Sequence, residues 1–207
     1  MDKVSKCLSR HYKKTFQQFG ATSKGVDWGD NEANLYLRYD KMLQVLDDVY
    51  KERLSILDVG CGYGGLLDHI IKKNINLKYT GIDIVGNMVR CAKKNHRQAT
   101  FITGDIFKTE FIQNFDYVVC NGILTQKLDV SGLAMDEFAG RLIRRLFEVC
   151  EKGMAFNIMT TKVNYFANNL YYRNPAELFS WCLSEITPHI KIDHAYNLFE
   201  YTVYLYK

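Results

Sequence analysis

The stretch at residues 56–65, ILDVGCGYGG, constrains the fold more than any other part of the chain. Apolar residues run into Asp58, and glycine then recurs at Gly60, Gly62, Gly64 and Gly65. Glycine loses more conformational freedom on folding than any other residue, so this density is costly for a turn that holds nothing. An apolar strand that breaks into glycines and then opens a helix brings the backbone close to a ligand.

The remainder of the chain repeats the same rhythm. Short apolar runs predict strands at residues 55–60 (SILDVG), 78–84 (KYTGIDI), 99–105 (ATFITGD), 116–122 (DYVVCNG) and 153–160 (GMAFNIMT). Between them, Leu66, Leu67, Ile70 and Ile71 fall on one helical stripe, as do Phe138, Leu142, Leu146 and Val149. Strands alternating with helices build βαβ units and a parallel sheet covered on both faces. The tail IKIDHAYNLFEYTVYLYK holds two β-rich runs with only a short turn near Tyr196 and Asn197, so these pair antiparallel. The expected fold is α/β: a doubly wound, mostly parallel seven-stranded sheet of Rossmann-like type, with an antiparallel C-terminal strand and a helical N-terminal lid.

We expect one domain over residues 1–207. A helical cap occupies 1–52, and the cofactor-binding core occupies 53–207, with residues 161–188 as an insertion on the substrate side. In the cap, Asp30 or Asn31 starts a helix that continues through Tyr50.

Composition narrows the function. A net charge of +4 is mild for 207 residues, and the densest basic run, KKNHR at 93–97, reads as the end of a solvated helix. No nucleic-acid partner is expected. Six scattered cysteines, with no CxxC and no Cys/His zinc spacing, point to a reducing compartment and no metal site. A polar N-terminus and the lack of any run of about 18 apolar residues predict a cytoplasmic protein without a membrane partner. The oligomeric state is not legible.

Gly60, Gly62 and Gly65 satisfy G-x-G-x-x-G, and Asp83 follows eighteen positions later, where a dinucleotide site places its ribose carboxylate. Asp58 opposes that reading. It sits at the end of the strand beside the crevice, where its charge would repel a pyrophosphate and attract an ammonium group. S-adenosylmethionine, with an amino-acid end, a sulfonium, a ribose and no phosphate, fits better.

On these residues the chain resembles the class I S-adenosylmethionine-dependent methyltransferases. ILDVGCGYGG is similar to their first motif, GIDI to the end of their second strand, Gly104–Asp105 to the end of the third, and FDYVVCNGIL to the fourth motif. The resemblance implies that Gly60, Cys61 and Gly62 line the methionine portion and that Asp58 assists its ammonium. It implies Asp83 on the ribose diol, Ile84 against the adenine with Met88 flanking, Asp105 and Ile106 at the adenine edge, and Asn121 and Gly122 near the sulfonium. The bland alternatives are surface carboxylates for Asp83 and Asp105 and helix core for Met88.

Methyl transfer from a sulfonium is an in-line displacement, so the protein chiefly orients the acceptor. The family's fourth motif in base- and glutamine-directed enzymes often carries two prolines and an aromatic. Here Asn121 is followed by Gly122, Ile123 and Leu124, which speaks against nucleic-acid methylation.

Trp28, in a glycine-flanked loop, is expected to cover the cofactor. Arg38 is expected to meet its carboxylate bidentately, the alternative being a surface pair with Asp40 or Glu32. His11, Tyr12 and Tyr165 are candidates for a catalytic role. Tyr165, Phe166, Tyr171 and Tyr172 with Asn168 and Asn169 are expected to wall a site for a metabolite or sugar-like acceptor, or else to roof the sheet. The expected reaction is methyl transfer to an oxygen or nitrogen of a small molecule. The rivals are a non-catalytic S-adenosylmethionine-binding protein and a nicotinamide-dependent reductase.

Overall fold

The structure, a computed structural model, describes residues 1–46 and 54–207. Helix α1 (Lys3–Phe19) starts where the Asp2 carboxylate accepts the Ser5 N–H and ends at Gly20. A 3₁₀ turn (Lys24–Val26) leads to α2 (Glu32–Leu43), whose cap is Asn31: its side chain accepts from the Ala33 and Asn34 amides. The helix ends at Leu43, short of the expected Tyr50. The rest of that prediction, from Asp47 on, and the expected boundary between cap and core lie outside the described residues.

The core follows as β1 (Leu54–Val59), α3 (Gly65–Lys72), β2 (Leu77–Asp83), α4 (Gly86–Asn95), β3 (Thr100–Thr103) and β4 (Phe115–Cys120). Then come α5 (Gly132–Glu148), β5 (Cys150–Thr160), β6 (Tyr172–Arg173), α6 (Pro175–Glu185), β7 (Ile190–Asp193) and β8 (Glu200–Tyr206). The main path of the sheet runs β3–β2–β1–β4–β5–β8–β7. Strands β1 to β5 are parallel, and β8 runs antiparallel to both of its neighbours, as the short turn before it requires. Two differences from the sequence reading appear. Strand β5 starts at Cys150, which pairs with Phe115, and the two-residue β6 adds to the end of β5 beside Met159 and Thr160.

The sheet separates two apolar layers because successive strand residues point to opposite faces. Leu57 and Val59 of β1, with Val118 and Cys120 of β4, pack against α5 and α6 on one side. Ile56, Tyr117 and Val119 face α2, α3 and α4 on the other. On α5, Leu142 and Leu146 are wholly buried, and truncating either to alanine should cost about 2–5 kcal/mol. The expected insertion is not one wall. Its second half is α6, which sends Leu178 and Cys182 into this core.

The strand order reverses at β1, which has β2 on one side and β4 on the other. Ligands of such sheets bind in the crevice outside the carboxyl ends of the strands at that switch point. Helix α1 closes this crevice from above, turning Ser5, Leu8 and Tyr12 into it.

Candidate functional site

The cleft at the switch point holds about 1020 Å³ of space, its open mouth included. Its floor is the loop after β1. The Gly60 and Cys61 amides donate to Ile82 O at 2.8 and 3.2 Å, which lashes the loop to the end of β2. Gly60 has φ 81° and lies against Ile123, whose side chain would stand 2.9 Å from an added Cβ. Only glycine fits both the backbone and the space.

Three carboxylates line the cleft, Asp58, Asp83 and Asp105, and among the described lining residues there is no Lys, Arg or His. Asp58 is 3% exposed, and its Oδ2 accepts a 2.6 Å hydrogen bond from the Tyr79 hydroxyl. Burial lifts its pKa to about 7; the Tyr79 hydrogen bond works against that rise and the charge of Asp83 adds to it. Asp83 is also buried, and burial raises its pKa. Its carboxylate accepts from Val85 N at 2.7 Å and Gly62 N at 2.9 Å, so it fixes both the glycine loop and the start of α4. Asp105 is half-buried and accepts from Phe107 N at 3.1 Å.

The turn after β4 forms the opposite wall. Gly122 N donates to Asn157 Oδ1 at 2.7 Å, and Asn157 Nδ2 donates to Glu200 Oε1 at 3.1 Å. Asn121 Oδ1 is buried at the cleft and has no hydrogen-bond partner among the described residues. Gly122, at φ 96°, lies so close under Trp28 that an added Cβ would be 2.6 Å from the indole Cζ2.

Of the residues singled out in the sequence, Trp28, Asp58, Gly60, Cys61, Gly62, Asp83, Ile84, Met88, Asp105, Ile106, Asn121, Gly122 and Tyr12 line this cleft. Arg38 does not. Its Nε donates to both oxygens of Glu200 at 3.0 Å and its Nη1 to Asn34 O, while the guanidinium stacks 3.9 Å over the Trp28 ring. Its carboxylate partner is Glu200, 162 positions away, rather than Asp40 or Glu32, and it stands outside the lining in which a cofactor carboxylate was expected to meet it.

The catalytic candidates separate. His11 is outside the lining and donates from Nε2 to Asp27 Oδ2 at 2.9 Å; the same oxygen accepts from Gln126 Nε2 at 2.7 Å. Tyr12 is in the lining, bonded to Thr125. Burial and the Asp27 carboxylate push its phenol above the ordinary value, so at neutral pH it remains protonated and cannot accept a proton. Tyr165 is 77% exposed and away from the cleft.

The expected aromatic wall also breaks up. Tyr171 turns inward and donates to Asp136 at 2.6 Å, and Tyr172 packs edge-on to Phe166. Asn169 ties back to Gln126 at 3.0 Å. Tyr79, Tyr39, Val26, Asn157 and Glu200 shape the site but carry no motif, and Tyr63 lies within the glycine stretch without having been singled out. Only the alternation of β2, which puts Tyr79 and Asp83 an even number of residues apart, hinted at one of them.

Fold and cleft together define a Rossmann-like α/β protein with an acidic cleft at the switch point of its sheet. A family model described as a methyltransferase domain matches residues 50–202. The chain belongs to that family and is a class I S-adenosylmethionine-dependent methyltransferase. Rv1506c of Mycobacterium tuberculosis, a protein named as a methyltransferase, is 30% identical over 158 residues, covering 74% of this chain and 93% of that protein. The malonyl-[acyl-carrier protein] O-methyltransferase of Acetivibrio thermocellus is 34% identical over 129 residues, which cover 61% of this chain but 42% of that enzyme. The crystal structure of magnesium protoporphyrin IX methyltransferase from Synechocystis PCC 6803 with bound cofactor superposes with a TM-score of 0.69. It covers 100% of this chain and 98% of that one at 15% identity, a likeness of fold.

Proposed function

We propose that this chain transfers the methyl group of S-adenosylmethionine to an oxygen or nitrogen of a small acceptor, a metabolite or sugar-like compound. The observation that carries the reading is the charge of the cleft: three carboxylates and no cation among its described lining residues. Such a site repels the pyrophosphate of a nicotinamide cofactor and attracts an ammonium and a sulfonium. Asp58 would hold the ammonium, Asp83 the ribose hydroxyls and Asp105 the adenine edge, with Ile84, Ile106 and Met88 packing the base. Gly60, Cys61 and Gly62 would lie along the methionine portion.

When bound, the cofactor supplies an already activated methyl group. The task left to the protein is to align the acceptor and exclude water. Trp28 covers the turn at Asn121 and Gly122, where the acceptor would be held. Asn121 Oδ1, which has no hydrogen-bond partner among the described residues, would take an N–H or O–H of the acceptor, since a buried carbonyl without a partner costs free energy that an incoming donor recovers. Tyr12 and Trp28, which line the cleft, narrow the room left for an acceptor and favour a small one.

Calorimetry with S-adenosylmethionine, S-adenosylhomocysteine and NADPH tests the cofactor. The first two should bind and NADPH should not; the reverse would overturn the reading. A labelled methyl donor offered with panels of hydroxyl and amine metabolites then tests the acceptor class.

A further inference from the structure

Five groups close a circuit around the acceptor end of the cleft. Gly122 N–H bonds Asn157, and Asn157 bonds Glu200. Glu200, 1% exposed, holds Arg38 through both carboxylate oxygens, and Arg38 stacks on Trp28. Trp28 in turn rests on Gly122. Each contact joins a different piece of the chain: Gly122 follows β4, Asn157 lies in β5, Glu200 starts β8, Arg38 is in α2, and Trp28 is in the loop before α2.

A buried carboxylate is costly unless a cation and further hydrogen bonds satisfy it. Glu200 is satisfied here by groups from both the lid and the sheet. The pair therefore sets the distance between them: Arg38 lifts away only by leaving a charge buried, and Trp28 lifts only by giving up its stack on Arg38. Glu200 also fixes which way the Asn157 amide points, because its oxygen must accept from Asn157 Nδ2. That leaves Asn157 Oδ1 to receive the Gly122 amide.

We propose that Glu200 and Asn157 are positioning residues for methyl transfer. Through Arg38 they fasten Trp28 over the cofactor, and through Gly122 they set the turn that carries Asn121. This rests on the cofactor reading above. It adds that the reacting end of the site is aligned by a carboxylate that never touches cofactor or acceptor.

The chain has two tryptophans, so a Trp181→Phe parent leaves Trp28 as the single indole reporter. In this parent, Glu200→Gln combined with Arg38→Met removes the buried ion pair from both sides while keeping an oxygen for Asn157, which preserves stability. The expected result is a melting temperature near the parent's, with Trp28 quenching by acrylamide raised about threefold or more and the Kd for S-adenosylhomocysteine raised about tenfold or more. Parent-like quenching and affinity in the double variant would overturn the proposal. Should that variant not fold, Arg38→Lys alone reads the same circuit, since it keeps a cation for Glu200 but loses the planar stack on Trp28: raised quenching and weaker affinity support it, and parent-like values of both overturn it. A parent that binds no S-adenosylhomocysteine would instead refute the cofactor reading.

Discussion

The Tyr79 hydroxyl donates a 2.6 Å hydrogen bond to Asp58 Oδ2, and both residues are buried beneath the glycine loop. The bond does two things. It satisfies one oxygen of a carboxylate that would otherwise be costly to bury, and it stabilises the ionised form, which the cofactor's ammonium needs.

A pH dependence follows from this pair. Burial raises the Asp58 pKa from 3.8 to about 7, so the folded protein holds this proton more tightly than the unfolded chain does. The stabilisation is fully present below about pH 4 and is lost as pH rises through about 7. A shift of this size corresponds to at most about 4 kcal/mol. Without ligand, the melting temperature should therefore fall between pH 5 and pH 8, and Asp58→Asn should flatten the fall and melt higher at pH 8. Affinity for the methyl donor should move the opposite way, rising through the same window in the parent and weakening in Asp58→Asn. Calorimetry of both quantities checks this; a pH-independent affinity in the parent would refute the ammonium assignment.

Removing the other buried carboxylate should act on cofactor and loop together. Asp83→Ala deprives the Gly62 and Val85 amides of their acceptor and should weaken S-adenosylmethionine binding by about 1–3 kcal/mol. Asp83→Asn keeps one acceptor oxygen and should fall between the two. Unchanged affinity by titration calorimetry would sink the ribose assignment.

The contact between Gly122 and Trp28 should tolerate no side chain. Gly122→Ala meets both a left-handed backbone at φ 96° and the indole at 2.6 Å. The backbone alone should cost about 1–3 kcal/mol in a urea melt. Combining it with Trp28→Leu should relieve the clash but not the backbone cost, so stability should recover only in part.

The cysteines should divide by burial. Burial pushes the thiols of Cys61, Cys120, Cys150 and Cys182 up, to about 11 for Cys150 and about 12 for Cys182. Thiolate is the reactive form, so these four should resist iodoacetamide at pH 8 in the folded protein. Cys7 and Cys91, both half-buried, should label first; mass mapping of early labelling distinguishes the two groups. Rapid modification of Cys61 would mean that the glycine loop opens to solvent.

How far the site could be read depends on where each residue stands relative to a strand end. Asp58, Asp83, Asp105 and Asn121 were legible because each ends or follows an apolar run at the carboxyl edge of the sheet, and the topology delivers all such ends to one crevice. Arg38 was found as a residue of the lid and misassigned, because its partner Glu200 lies 162 positions away. Tyr165 and the aromatic wall failed for a related reason. A loop sequence shows which side chains are near one another along the chain but not which way each turns, and Tyr171 turns into the core.

By itself the sequence determined the order of strands and helices, the bare loop after β1 and the acidic character of the cleft. Those follow from hydrophobic period and from residue types held within a few positions of each other. Only the tertiary structure decided that Glu200 reaches Arg38, that Asn157 receives the Gly122 amide, and that Trp28 lies over the turn. Such contacts join segments whose separation is set by sheet register and helix packing, and nothing local to either segment specifies the partner.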